Sequence, residues 1–297
     1  MAEHLVLEGR AVVRVGGDDA EPFLQNLLTN DIAAANASRV VYAALLTPQG
    51  KYLFDFFVAR PEDAFLFDVA ADRAEALQRR LSMYRLRAKV DIEIVSDWRI
   101  EVLYGAGACA IADLPEEAGV ARTLEGSLLY VDPRRPEGGV RAFVPAGAAG
   151  LAPLAAEPGQ PASYEDLRLR LGLPESGRDL IVDKSIMLES NLDQLAAVDF
   201  TKGCFVGQEL TARTRYRGLV RKRLVPVRLE GIPPVDGGPV TRDGRDAGDL
   251  RSFADGRGMA LLRLPAILEP GGPLLCGEAV LHPEPPSWLE LTAEGED

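Results

Sequence analysis

The sequence is poor in the side chains that bind metals or form disulfides, with two histidines and three cysteines among 297 residues. Cys109, Cys204 and Cys276 are far apart in the chain, and none belongs to a CxxC pair. Neither a zinc site nor a ferredoxin-type cluster cage is therefore predicted. The odd number of cysteines argues against a secreted disulfide framework and fits a reducing compartment.

Long apolar stretches are also missing. No run of about 18 uncharged apolar residues occurs, so no membrane-spanning helix is predicted. The first residues, MAEHLVLEGRAVVRV, lack the basic segment and the long apolar run of a secretory signal peptide. Together with the cysteine count, these features predict a cytoplasmic protein.

Positive charge is scarce, because 33 Lys and Arg face 45 Asp and Glu, for a net charge of -12. We do not expect the whole surface to bind a polyanion, so any anion site must be local. Hydrophobic residues make up 47% and charged residues 26%, which is typical of a soluble folded protein. The length favours two or three domains.

The first half of the chain mixes strand and helix patterns. A helical pattern over EPFLQNLL is followed by VVYAALL and KYLFDFFVAR, two β-rich runs that read as a hairpin around 47–50. This order predicts an α+β domain with an antiparallel sheet. The turn GAGACA after a predicted strand resembles a dinucleotide-binding loop, but Pro115 interrupts the helix that such a loop needs. Beyond about 222, short apolar runs between Gly and Pro turns predict a small β-barrel or sandwich.

Residues 198–218, VDFTKGCFVGQELTARTRYRG, carry the most chemistry. Cys204 follows Lys202 and precedes a helix predicted to begin near Gly207, and both a cation and a helix N-terminus favour a thiolate. Gly203 and Gly207 would let a ligand approach the thiol closely. The alternative is a small buried side chain, which is the commonest role of a free cysteine. The residues alone leave both interpretations open.

A basic run follows directly and contains no acidic residue. In a chain of negative net charge this run indicates an anion partner, although a solvated charged face is the simpler alternative. Either RNA or a carboxylated or phosphorylated small molecule fits such a run. Its members are Arg213, Arg215, Arg217, Arg221, Lys222 and Arg223.

Asp55 interrupts the apolar run YLFDFFV. On a strand it shares a face with Leu53 and Phe57. It is therefore either a carboxylate against an apolar wall, suited to acid-base work, or an exposed residue on an edge strand.

The motif KGCFVGQE, residues 202–209, resembles the KGC(F/Y)xGQE signature of the YgfZ/Iba57-type folate-binding proteins. Further similarity runs through most of the chain in the family's order, in FLQNLLTNDI, LLTPQGKYLFDFF, LRLGLPESG, ESNLDQLAAVDF and ARTRYRG. These proteins share their architecture with the aminomethyltransferase, or T-protein, of glycine cleavage. The resemblance implies an α+β fold of three domains, two of them around a central folate cavity and the third a C-terminal antiparallel β-barrel. We expect domain boundaries at 1–45 with 163–221, at 46–162 and at 222–297.

The resemblance also implies a site for tetrahydrofolate or a derivative. Cys204 would be the functional thiol and Lys202 would lower its pKa, and Asp55 would face the pterin or the one-carbon position. The T-protein's pterin-binding glutamate corresponds to Arg170 here, which argues against aminomethyl transfer. The remaining implied ligand contacts come from the motif and the basic run that follows it, where arginines would attract the glutamate tail: Gly203, Phe205, Gly207, Gln208, Arg213, Arg215 and Arg217.

The expected function is support of the assembly or repair of iron-sulfur enzymes, especially those with [4Fe-4S] clusters. Its partners would be folate and iron-sulfur assembly proteins or client enzymes, without a membrane or a resident metal. Whether the chain is itself an enzyme stays open. The alternative is a folate-dependent one-carbon transferase or demethylase, and a less favoured one is RNA association through the basic run.

Overall fold

The structure is a computed structural model that describes residues 1–154, 157–216 and 220–291, with the backbone alone at 216. Arg217 of the basic run lies outside the described residues. Contacts between residues divide the chain into two compact units. Unit 1 contains Met1–Pro48, Leu53–Pro161 and Leu195–Gln208, and unit 2 contains Gln49–Tyr52, Ala162–Gln194 and Glu209–Asp297.

Unit 1 contains a five-stranded sheet in the order β3-β4-β5-β2-β6. The run YLFDFFVA forms β4 and is buried along its whole length, as its nearly continuous apolar sequence predicts. Helix α1 follows β2 in the chain and buries Leu24 and Leu27. Helix α2 follows β5 and buries Leu77 and Leu81. The elements are β2 (Arg10–Gly16), α1 (Ala20–Leu27), β3 (Val41–Leu46), β4 (Tyr52–Ala59), β5 (Phe65–Ala70), α2 (Ala74–Arg85) and β6 (Asp91–Val95).

A second sheet of unit 1 has six strands in the order β11-β1-β7-β10-β9-β8. Its pairs are antiparallel except β1 with β11. The glycine-rich turn leads into α3, which is only four residues long, so the dinucleotide-binding βαβ unit does not form there. The elements are β1 (Glu3–Val6), β7 (Trp98–Tyr104), α3 (Ala108–Ile111), β8 (Ala121–Leu124), β9 (Ser127–Val131), β10 (Val140–Pro145) and β11 (Glu157–Pro158).

Unit 2 contains a closed barrel in the order β12-β15-β14-β13-β16-β17. Helix α4 ends where Gly172 adopts a φ of +70°, a left-handed conformation that glycine adopts without a steric penalty. The elements are α4 (Pro161–Leu171), α5 (Gln208–Tyr216), β12 (Lys222–Glu230), β13 (Gly238–Arg242), β14 (Arg245–Ala254), β15 (Arg257–Arg263), α6 (Leu264–Leu268), β16 (Leu274–Cys276) and β17 (Ala279–Pro283).

The predicted α+β class and the C-terminal antiparallel barrel are confirmed, and the first barrel strand, β12, begins at Lys222. β2 pairs with β5 and β6, so strands from both sides of residues 45/46 share one sheet. Residues 1–45 and most of 46–162 therefore share unit 1. None of the helices in the described part of the chain has the length and hydropathy of a transmembrane segment.

Candidate functional site

The segment before Cys204 is fastened to the C-terminal end of α1. The ammonium of Lys202 donates hydrogen bonds to three backbone carbonyls, those of Gln25 at 2.8 Å, Leu28 at 2.6 Å and Asn30 at 2.8 Å. The last carbonyls of a helix have no partner within the helix. Lys202 thus satisfies acceptors that would otherwise be left unpaired. It fixes residues 199–208, called the cysteine loop below, to α1.

Burial lowers the pKa of Lys202 to about 8, against the attraction of Asp31 and Asp199. Asp199 also orders the backbone of the loop, since one of its carboxylate oxygens accepts from the Thr201 hydroxyl at 2.6 Å and from the Lys202 amide at 3.2 Å. These hydrogen bonds lower the pKa of Asp199. The hydrogen bonds to Asp199 therefore order the backbone of residues 199–202, directly before Cys204.

The thiol of Cys204 is exposed. On its other side, Phe205 is buried and its ring lies 5.8 Å from the Lys202 ammonium. The Phe205 amide donates to the Gln208 side chain at 3.1 Å, immediately before α5 begins. The cysteine is therefore held at the surface by anchors on both sides.

The glycines act as the sequence suggested in one respect. A side chain at Gly203 would have nothing within 4 Å, so the approach to the thiol on that side is open. Gly207 has a φ of +84°, a conformation that glycine favours. Lys202 differs from its expected role, because its three N–H donors are all used by carbonyls and none remains to bind a thiolate.

The other two cysteines fit the alternative of a small buried side chain. Cys109 and Cys276 are both buried. Burial raises the pKa of each thiol, with a smaller contribution from Glu116 and Asp249 respectively. Within this chain, Cys204 is thus the thiol that a partner can reach.

Asp55 lies on β4 and is only 4% exposed, so it is not an edge-strand residue. Its carboxylate accepts a hydrogen bond from the Tyr42 hydroxyl at 2.8 Å, and the Tyr42 ring packs against Phe57 with centroids 5.2 Å apart. Burial and the Asp55 carboxylate raise the pKa of Tyr42 well above its usual value. Tyr42 therefore stays neutral and keeps Asp55 oriented as an acceptor.

The ring of Phe57 is surrounded by three guanidinium groups, from Arg10 at 5.9 Å, Arg134 at 4.9 Å and Arg141 at 4.5 Å. Asp68 accepts from Arg10 and Arg141. Burial alone would raise the pKa of Asp68, but these two arginines hold it below its usual range. The cluster of Phe57, Asp68 and these three arginines is called the arginine cluster below.

The sequence interpretation missed the arginine cluster. Its members come from β2, β4, β5, β10 and the segment after β9, and no local motif joins them. A signal existed only in the charged residues within otherwise apolar strands, at Asp68 in FLFDVA and Arg141 in VRAFVP.

The remaining predicted residues lie in unit 2. Arg170 is exposed, and its guanidinium donates a hydrogen bond to the Asp166 carboxylate on the same helix at 2.8 Å. The Arg213 guanidinium likewise donates a hydrogen bond to Glu209 on its own helix at 2.8 Å. Arg215 is exposed.

The basic run does not form one continuous face. Arg223 is buried and donates to the Leu188 carbonyl and to Asp193. In the part of the chain that the structure describes, no group of three or more His, Cys, Asp or Glu residues is arranged to hold a metal ion.

Two family models match the chain. The GCVT N-terminal domain matches residues 9–113, and the CAF17 C-terminal β-barrel domain matches residues 221–291. The first covers all five strands of the sheet that carries Asp55, and the second covers the barrel of unit 2.

Two relatives align over most of the chain. The mitochondrial iron-sulfur cluster assembly factor IBA57 of Mus musculus is 37% identical over 89% of this chain and 78% of its own length. The corresponding protein of Homo sapiens is 37% identical over 86% of this chain and 76% of its own length.

A solved structure is similar in fold. The aminomethyltransferase T of the glycine cleavage system from Bartonella henselae has a TM-score of 0.76 and 20% identity, and the match covers 98% of this chain and 87% of that chain. The aminomethyltransferase-like fold implied by the KGC motif is thus confirmed.

The predicted cytoplasmic location is contradicted by the relatives, which are mitochondrial proteins. The prediction rested on the cysteine count and on the first residues of the chain. Neither of these reports which compartment a folded protein occupies.

Proposed function

This chain belongs to the IBA57 family of iron-sulfur cluster assembly factors, and from that membership we propose that it supports the assembly of [4Fe-4S] clusters in client proteins through Cys204. The observation that carries the proposal is the exposed thiol, held at the surface between the anchors Lys202 and Phe205. A loop built this way presents a thiol to another protein without having to unfold.

The chemistry follows from the thiol itself. A cysteine thiolate is the standard protein ligand of iron in iron-sulfur clusters. When Cys204 binds iron, its proton leaves to solvent and one ligand of the cluster is displaced, so the step needs no oxidant or reductant. Cys109 and Cys276 are buried, and the other ligands of such a cluster would therefore come from the client or from a carrier protein.

Tetrahydrofolate or a derivative is the small-molecule ligand that we propose for unit 1. Asp55 is an oriented acceptor that suits pterin N–H groups, and the rings of Tyr42 and Phe57 lie beside it. All three side chains are buried, so a ligand would reach them only if the surrounding side chains moved. When bound, the folate would supply a carrier of one-carbon units. Arg134, whose guanidinium lies over both rings, would interact with the electron-rich edge of the ligand.

The proposed role of Cys204 is tested in cells that lack the native gene. Cys204→Ser should leave cluster-dependent enzymes inactive, while Cys109→Ser and Cys276→Ser should restore activity in proportion to their folded protein. The abundance and melting temperature of each variant are measured in parallel. Full restoration by Cys204→Ser would contradict the proposal.

Folate binding is tested by calorimetry with tetrahydrofolate on the whole chain. Asp55→Asn and Tyr42→Phe should weaken binding about 10-fold or more, because the first replaces a charged acceptor by a neutral amide and the second removes the hydroxyl that orients the carboxylate. Asp63→Asn is the matched control, since Asp63 is exposed in the same unit. Equal affinities for all four proteins, or no heat of binding for the wild type, would contradict a folate site at Asp55.

A further inference from the structure

A second basic segment lies in unit 1, outside every motif of the site. Residues 79–89, RRLSMYRLRAK, hold five Arg and Lys and no Asp or Glu. They form the last turns of α2 and the connection toward β6. In a chain of net charge -12, this segment is a local reversal of sign.

The same segment exposes two large apolar side chains. Met83 is 70% exposed and Leu86 is 89% exposed. The core-facing positions of α2 are filled separately by Ala74, Leu77 and Leu81, all of which are buried. The folding of α2 therefore does not use Met83 and Leu86.

Leu86 also has an unfavourable backbone. It follows the last residue of α2 with φ 45° and ψ -104°, and a positive φ is rarely adopted by residues other than glycine. A leucine there strains the backbone and leaves its apolar side chain in water, and both effects disfavour the folded state. Strain of this kind is most often retained where a residue serves a function.

Within the described ranges, the cations around these two residues form either no ion pair or an exposed one, as Arg79 does with Glu75 at 3.2 Å. Arg80 and Arg87 form no ion pair with an acidic residue in the described part of the chain, and Lys89 pairs with Asp18 only at 3.4 Å, where both are exposed. An open cavity of about 390 Å³ adjoins the segment and is lined by Gly17, Asp18, Arg85, Ala88, Lys89, Val90 and Asp91.

We propose that residues 79–89 are a docking surface for an acidic protein segment that carries large apolar side chains. The arginines and Lys89 would pair with its carboxylates, and Met83 and Leu86 would pack against its apolar residues. Methionine and arginine are enriched in protein interfaces, and an unbranched Met adapts to different partners. The proposal depends on neither the thiol nor folate.

Two other classes of partner fit less well. RNA would pair with the cations through its phosphates, but it carries no aliphatic side chains against which the exposed Met83 and Leu86 could pack. Two apolar side chains also bury too little area for stable membrane binding. Both classes are included in the test.

The test is fluorescence anisotropy with the whole chain and a labelled peptide, Glu-Glu-Asp-Leu-Phe-Glu-Asp-Leu-Glu-Glu. We expect binding that weakens with salt. The double variants Arg80→Glu/Arg87→Glu and Met83→Ser/Leu86→Ser should each weaken binding about 10-fold or more. The matched control is Arg245→Glu/Ile232→Ser, because both residues are exposed on the barrel of unit 2.

Leu86→Gly separates binding from folding. It should raise the melting temperature or leave it unchanged, since it relieves the positive φ, and yet weaken peptide binding. The proposal is overturned if the wild type does not bind the peptide, if Leu86→Gly lowers stability without changing affinity, or if phosphatidylserine vesicles or a uridine 20-mer bind more tightly through the same residues.

Discussion

The cysteine loop and the arginine cluster both lie in unit 1, and they stabilise buried charged groups in different ways. In the loop, one ammonium is satisfied by three backbone carbonyls, and the reactive group, the Cys204 thiol, stays outside. In the arginine cluster, guanidinium and carboxylate groups satisfy one another inside the fold. The loop thus uses buried charge to present a group to a partner, and the cluster uses it to join strands to one another.

The largest effect is expected from breaking the arginine cluster. Asp68→Ala leaves the guanidinium groups of Arg10 and Arg141 without their shared carboxylate, which should cost about 3–5 kcal/mol of the free energy of unfolding. Urea unfolding measures the loss. Asp63→Ala, an exposed change in the same unit, should alter it little. A similar small effect of both variants would mean that the cluster contributes nothing to joining the strands.

A smaller effect is expected from the anchor of the loop. Lys202→Met should cost about 1–3 kcal/mol, because three carbonyls at the end of α1 lose a charged donor. Hydrogen exchange at residues 28–31 should increase as the end of α1 loosens. Unchanged stability and exchange would show that water replaces the ammonium without penalty.

The effect of Lys202 should also depend on pH. Its pKa in the folded chain is about 8, below the ordinary value of 10.5, so the unfolded chain binds more protons between these values. Stability therefore rises with pH in that window. The difference in free energy of unfolding between wild type and Lys202→Met should widen from pH 7.5 to pH 9.5, and a constant or shrinking difference would contradict this assignment.

The smallest effect on stability is expected at the thiol. Cys204→Ala should change the free energy of unfolding by no more than about 0.5 kcal/mol, because the side chain is exposed. In the native protein, alkylation should modify Cys204 and reach Cys109 and Cys276 only after unfolding. Equal alkylation of all three thiols in the native protein would contradict the assignment of Cys204 as exposed and of Cys109 and Cys276 as buried.

Local sequence was sufficient where structure depends on neighbours along the chain. The hairpin strands, the end of α4 at Gly172 and the turn-rich barrel follow from periodicity and from glycine. The exposed position of Cys204 agrees with one of the two interpretations that the residues left open, and the KGC motif indicated the family.

What the sequence could not predict depends on residues far apart in the chain. The acceptors of Lys202 lie more than 170 residues earlier, so the local sequence pairs Lys202 with its neighbour Cys204 instead. Arg223 follows exposed arginines in sequence but enters the interior at the start of β12. The pairing of β2 with β5 and β6 likewise joins residues that are far apart in the chain.

The discontinuity of unit 1 has a consequence for synthesis on the ribosome. The two long early segments of unit 1 leave the exit tunnel first, but the carbonyls at the end of α1 are paired only when Lys202 has been made, and Lys202 lies within the last short segment, Leu195–Gln208. Contacts of such long sequence separation form late in folding. The thiol is therefore positioned only after almost the whole of unit 1 has been made, and a nascent chain that stops earlier does not display it in its final setting.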